Sequence, residues 1–378
     1  MKEVKKILVL TLVAALMVSM LFVGTSCSHE QATTEESADK GSTETEASGE
    51  LIGVTMPTKS LQRWNQDGDN IKKQLEAKGY EVDLQYAEND VNTQLSQLEN
   101  QITKGCKVLV IASIDGSALG EVLKKSADAG IKSIAYDRLI METPDVDYYA
   151  SFDNFRVGEF QGKYIEEALG LDKGNGPFNI ELVAGSPDDN NAFLFNAGAM
   201  SVIQPYIDNG QLVVVSGQTE FTTIATPAWK SETAQARMDN IITAFYAGGT
   251  KLDAVLCPND STAIGVIAAL DNVGYGSADK PYPIITGQDC DIPNTIAIIE
   301  GKQSMSVFKD TRTLAAKAVE MVEAIINGTE VPVNNTKDYD NGVKIVPSFL
   351  CDPVVVTKEN YKEMLIDSGY YTEEQLAK

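Results

Sequence analysis

KVLVIASIDGSALGEVLKKSADAGIKSIAYDR, residues 107–138, decides the fold. Its opening run, Lys107–Ala112, is short, apolar and rich in Val and Ile, as a buried strand requires. Ser117–Ala129 then sets apolar residues at helical spacing. It stops before Gly130, a residue type that ends helices in the left-handed conformation. Ile131–Tyr136 is apolar again. Strand, helix and strand in this order predict a βαβ unit, whose crossover helix makes its two strands parallel.

The same unit extends in both directions. Upstream, Leu51–Met56 and Val82–Tyr86 read as strands. Leu61–Lys78 and Val91–Thr103 read as helices that stop before Gly79 and Gly105. Downstream the pattern restarts. Predicted strands at Tyr148–Phe152, Phe178–Ala184, Leu212–Ser216, Leu252–Leu256 and Tyr282–Thr286 alternate with predicted helices at Val157–Leu169, Ala192–Ile207, Thr233–Tyr246 and Thr262–Val273. After Ile292–Glu300 come a strand at Ser304–Phe308, a long helix at Leu314–Ile326, a β-like segment at Val343–Val356 and a short helix near Tyr361. No Pro- or Ser-rich linker divides the halves. The expected fold is α/β: two doubly wound parallel-sheet lobes in close register.

The N-terminus has a different character. Lys2, Lys5 and Lys6 precede an apolar run, Ile7–Val23, and the small residues Gly24, Thr25 and Ser26 lead into Cys27. This is the pattern of a secretory signal peptide. Small residues before a cysteine resemble the lipobox of bacterial lipoproteins, which implies lipidation at Cys27. Residues 28–50 are Ser, Thr, Glu, Ala and Gly without an apolar pattern, so they cannot bury enough surface to offset ordering entropy. They read as an acidic tether holding the folded body off a membrane.

Composition excludes several functions. A net charge of −23 would repel nucleic-acid phosphates. The single histidine, His29, lies in the tether, so His-based triads, general bases and zinc sites fail. There is no GxSxG elbow and no Walker A loop. Gly174-Asn175-Gly176 and Gly274-Tyr275-Gly276 lack the third glycine of a dinucleotide fingerprint and read as turns. Cys106, Cys257, Cys290 and Cys351 show no metal-ligand spacing and read as buried thiols, although a Cys257–Cys290 bridge stays open. No enzyme activity, cofactor or metal is expected. Carboxylate pairs such as Asp188-Asp189 suit glycosidase chemistry in principle, but a chain this acidic carries such pairs by chance.

Doubly wound sheets bind ligands beyond the carboxyl ends of their strands. Polar residues gather there. The first strand leads to Lys59, Arg63 and Trp64. The Lys107–Ala112 strand leads to Asp115, and Ile131–Tyr136 to Asp137 and Arg138. In the second half the corresponding residues are Asp188 to Asn191, Asn259 and Asp260, Gln288 and Asp289, and Lys309. Carboxylates and amides that accept, beside cations that donate, suit a ligand rich in hydroxyls. The two tryptophans, Trp64 and Trp229, lie one in each half and offer flat faces for a sugar ring. Singly, each Asp or Asn also fits a helix cap, Asp115 and Asp260 especially.

The stretches MPTKSLQRW, LVIASIDG, IAYDRLI, YASFDNFRVGEFQ, GSPDDNNA, DAVLCPND, TGQDCD and FKDT resemble the type I periplasmic binding proteins. The likeness is greatest to the multiple-sugar-binding and xylose-binding proteins of bacterial ABC importers. It spans nearly all of residues 51–376. It implies a site of Arg63, Trp64, Asp137 and Arg138 in the first lobe, with Asn190 or Asn191, Trp229, Asn259, Asp289 and Lys309 in the second. Lys59 and Asp115 are further carry-overs. It also implies three crossings between lobes, near Ser151-Phe152, between Asp289 and Lys309, and near Val343–Pro347. The first lobe is then 51–151 plus 310–343, and the second 152–309 plus 344–378.

The expected function is capture of a monosaccharide, an aldose such as xylose, glucose, galactose or arabinose, by hinge closure. The expected partner is an ABC permease in the membrane, and the protein is expected to be an extracytoplasmic, lipid-anchored monomer. Presentation of the closed form to a chemoreceptor or sensor kinase is the alternative. An intracellular repressor with the same two-lobe body is disfavoured, because the signal segment stands where DNA-binding helices would be needed.

Overall fold

Leu51–Met56 forms β1, the strand from which the first half of the chain is built. The structure is a computed structural model and describes residues 49–377. The signal segment, Cys27, His29 and nearly all of the tether lie outside the described residues.

After β1 come α1 (Gln62–Ala77), β2 (Glu81–Tyr86), α2 (Val91–Thr103), β3 (Val108–Ile111), α3 (Gly120–Asp128), β4 (Lys132–Tyr136) and β5 (Tyr148–Phe152). The second half supplies α4 (Asn154–Leu169), β6 (Phe178–Leu182), α5 (Asn190–Asp208), β7 (Leu212–Val214), α6 (Phe221–Ile224), α7 (Ser231–Ile241), β8 (Ala254–Leu256), α8 (Asp260–Asn272), β9 (Ile284–Ile285), α9 (Ile292–Glu300) and β10 (Met305–Phe308). The chain finishes with α10 (Thr311–Asn327), β11 (Ser348–Cys351), β12 (Val354–Thr357) and α11 (Glu373–Leu376).

Two parallel sheets result. The first runs β11-β5-β4-β3-β1-β2 and the second β7-β6-β8-β9. A bridge from Gln288 to Val307 sets β10 beside the end of β9, and β12 pairs antiparallel with β10. Both faces of each sheet are covered, which is why β3 reads VLVI with every residue buried and no polar alternation. Ile71 and Leu75 of α1 and Leu314, Val319 and Val322 of α10 cover one face of the first sheet. Leu98 of α2 and Val122 and Leu123 of α3 cover the other. In the second sheet, Ile165, Ala199 and Ile203 of α4 and α5 pack against Ile180 and Leu182. Met238, Ile241, Val266 and Leu270 of α7 and α8 pack opposite, against Val255.

Helices α4 and α5 cross at backbone distance. A Cβ on Gly158 would lie 2.0 Å from the Phe195 carbonyl oxygen, and one on Gly198 would lie 2.0 Å from that of Phe155. Only glycine fits on either side of this crossing.

The chain passes between the sheets three times: from β5 into α4, from β10 into α10, and from β11 into β12. The first two lie between Phe152 and Asn154 and between Phe308 and Thr311. The third lies at Asp352-Pro353 and not at Val343–Pro347. Ser348–Cys351 still pairs in parallel with Tyr149–Phe152, inside the first sheet. The β-like run Val343–Val356 is therefore not one segment: Pro353 has no N–H for a ladder and marks the break. The segment 344–351 belongs with the first sheet, and α10 packs there too although it follows the second sheet in sequence.

Candidate functional site

The carboxyl ends of the two sheets face one another, and the polar residues that follow them meet. Arg63, in the first turn of α1, is buried and reaches three carboxylates. Nε donates to Asp67 Oδ2 at 2.9 Å, Nη2 donates to Asp137 Oδ2, and Nη1 donates across the cleft to Asp289 Oδ1 at 3.1 Å. Lys309, which leaves β10, is 2% exposed, and its Nζ lies 3.3 Å from Asp289 Oδ1 and 3.5 Å from Asp137 Oδ2. Arg138 donates from Nη1 to the Ser113 carbonyl at 3.0 Å, and its Nε lies 2.9 Å from Asp189 Oδ2 in the other lobe.

These charges set each other's protonation. Burial alone would push the Asp137 carboxyl up, but Arg63, Lys309 and Arg138 bring it below the ordinary range. Burial would lower the Arg63 pKa, yet Asp137, Asp67 and Asp289 raise it well above the usual value. Asp67 lies deeper, where burial outweighs Arg63 and lifts its carboxyl to about 6. Asp291 rises to about 7 through burial and the nearby Asp289.

Trp64 lies against two cations, with the Arg63 and Arg138 guanidinium carbons 5.0 Å and 5.2 Å from its ring centroid. Trp229 forms the opposing wall in the short turn Pro227–Trp229. It lies directly over Gly185, where a Cβ would come within 2.0 Å of its Cη2. Phe195, one helical turn beyond Asn191, meets it edge-on at 6.2 Å. The backbone is unusual at the same places: Asp137, Trp229 and Asp289 have φ of 59°, 57° and 98°. Side chains rarely adopt this left-handed region, and such strain gathers where geometry is imposed by a site.

Arg63, Trp64, Asp137 and Arg138 from the first half share one cavity with Asn191, Trp229, Asn259, Asp289 and Lys309 from the second. Of the pair Asn190 and Asn191, Asn191 lines the cavity and donates to the Asp137 carbonyl at 2.7 Å, whereas Asn190 opens α5 outside the lining. Lys59 and Asp115 stand apart. Lys59 is exposed, with its ammonium over the Tyr86 ring at 4.9 Å. Asp115 caps the turn at Gly116 by accepting from Ser117 N at 2.9 Å. The cap of α8 is Asn259, not Asp260, and Asn259 also lines the cavity. Asp260 is fully buried. It accepts from Gln303 Nε2 and Ser306 Oγ, each at 2.9 Å, and so braces the loop that carries Asp289.

The sequence places Gln288 among the polar strand-end residues without giving it a role, and it does not mark Leu61, Phe195, Ser261 and Asp291 as cavity residues. Asp291 lies further into the loop, where an acidic residue before Ile292-Pro293 looks like a cap.

The cavity measures about 30 Å³, room for a water or two. Among the described residues, no group of three or more His, Cys, Asp or Glu could hold a metal ion. All four described cysteines are free and buried, which excludes the Cys257–Cys290 bridge.

A model of the periplasmic binding protein domain matches residues 52–330. The chain is 56% identical to the multiple sugar-binding periplasmic protein SbpA of Azospirillum brasilense over 86% of its own length and 90% of the relative's. It is 39% identical to the D-xylose-binding periplasmic protein of Escherichia coli over 86% of its own length and 92% of the relative's. A crystal structure of an ABC transporter solute-binding protein from Clostridium phytofermentans with bound β-D-glucose superimposes with a TM-score of 0.84 at 61% identity, covering 87% of this chain and all of that one.

Proposed function

The chain belongs to the periplasmic binding protein family, and from that premise we propose that it captures a neutral monosaccharide, an aldose of the glucose and xylose type, outside the cytoplasm. The observation that carries this reading is the single cavity to which both lobes contribute an indole and ionised polar groups. Trp64 and Trp229 supply flat apolar faces for a pyranose ring. Asp137, Asp289 and Asn259 accept from hydroxyls, while Arg63, Arg138 and Lys309 donate to hydroxyl oxygens.

Closure follows from where these groups sit. Asp289, Asn259 and Asn191 belong to the second lobe, so a sugar resting on Arg63 and Asp137 meets them only when the lobes come together. A ligand that binds the closed form better shifts the population toward it. On this reading Cys27 carries a lipid anchor, residues 28–50 are its tether, and an ABC permease receives the closed form.

The test is calorimetry and thermal melting over a panel of neutral aldoses. A bound sugar raises the melting temperature with the logarithm of its concentration over its dissociation constant. No heat and no shift with any aldose would overturn the reading. Metabolic labelling with a fatty acid, comparing wild type with Cys27→Ser, tests the anchor.

A further inference from the structure

The charged groups of the cleft are largely paired with one another, but its second-lobe wall holds polar atoms that are not. Gln288 is 2% exposed and its Oε1 has no hydrogen-bond partner. Asp291 Oδ1 is likewise buried and unpartnered. So is the indole N–H of Trp229, in a residue 4% exposed. All three residues line the cavity. Buried polar atoms almost always find partners, and each exception calls for an explanation.

The neighbours do not supply those partners. The Gln288 carbonyl is occupied by Asp260 N at 2.9 Å, which fixes the backbone and leaves the side chain to face the cavity. Asp291 N donates to Asp260 Oδ2 at 2.9 Å, and no side-chain cap bond holds the Asp291 carboxyl to α9. Arg63 and Lys309 are engaged by Asp137 and Asp289. The wall therefore presents two open acceptors and one open donor.

Resting on the sugar-binding reading above, we infer that Gln288 and Asp291 are specificity residues of this cleft, each accepting a hydrogen bond from a ligand hydroxyl. The ligand face turned to this wall must then carry donors. A carboxylate or phosphate there sets acceptor against acceptor. A deoxy position leaves a buried acceptor without a partner. Sites built to bond a hydroxyl discriminate strongly against analogues that lack it.

The experiment is calorimetry with D-glucose and its 2-, 3-, 4- and 6-deoxy analogues on wild type, Gln288→Met and Asp291→Ala, with Asp291→Asn as the variant that removes charge but keeps an acceptor oxygen. In wild type, at least one analogue binds at least tenfold more weakly than glucose. That penalty shrinks at least threefold in Gln288→Met or Asp291→Ala and persists in Asp291→Asn. Variants that weaken every sugar by one common factor, or that keep all the wild-type ratios, overturn the inference: the atoms are then served by water. Failure of wild type to bind glucose or any other aldose is a separate result, which defeats the sugar reading itself.

Discussion

Arg63 and Asp289 face each other across the cleft, with Nη1 3.1 Å from Oδ1, and this pair joins the first turn of one lobe's helix to a strand end of the other. Both side chains are nearly excluded from solvent. The bond is thus a latch across the cleft.

Asp289→Ala releases that latch. Arg63 keeps Asp67 and Asp137, so the loss is that of one charged buried partner, about 1–3 kcal/mol. The expected outcome is a larger radius of gyration without sugar and weaker aldose binding, read by small-angle scattering and calorimetry. Unchanged values in both would remove Asp289 from the latch and the site.

Gly185→Val tests how the second indole is positioned. The new Cβ would fall 2.0 Å from the Trp229 ring, far inside contact distance, and the ring must swing away. Binding should weaken at least tenfold, about 1.4 kcal/mol. Far-ultraviolet dichroism should keep its native shape. Wild-type affinity would show that the indole's place over Gly185 does not matter.

Gly158→Ala and Gly198→Ala probe the α4–α5 crossing. Each added methyl collides with a carbonyl oxygen of the other helix. Overpacking against backbone should cost about 3 kcal/mol. Urea titration would read this as a lower midpoint at constant slope, and a midpoint like wild type's would refute the close approach.

Asp291 gives the unliganded protein a pH signature. Its carboxyl goes from an ordinary 3.8 to about 7 on folding. The folded state therefore holds this proton more tightly than the unfolded chain does. The stabilisation is complete below about pH 4 and is lost as pH rises through about 7. Each pKa unit corresponds to about 1.4 kcal/mol. The difference in unfolding free energy between wild type and Asp291→Asn should slope downward across that window. A flat difference would mean that Asp291 is ionised throughout.

The thiols should be silent in the native state. Burial pushes Cys106 to about 11 and Cys351 to about 12, and raises Cys257 and Cys290 as well. An aromatic disulfide reagent should release little colour until denaturant is added. Rapid native labelling would contradict the burial.

The parallel sheets were legible because strands such as Val108–Ile111 are covered on both faces and must be apolar throughout. Asp137, Asn259, Asp289 and Lys309 were legible because strand ends in such sheets converge on one cleft. Lys59 shows the limit of that rule: it follows β1, yet its side chain turns outward to Tyr86. Strand order was not legible. Ser348–Cys351 returns to the first sheet through pairing with residues nearly two hundred positions earlier, and nothing local in the chain encodes that partner. The seat of Trp229 over Gly185 is likewise a long-range fact.

Helix α10 covers a face of the first sheet, yet it follows every strand of the second sheet in the order of synthesis. A nascent chain stopped before Thr311 leaves Ile52, Val54 and Val110 with only α1 over their face. Neither lobe can be completed by a contiguous early fragment, so the two must mature together. During synthesis the first half therefore keeps part of an apolar face open from Phe152 until Thr311 is added.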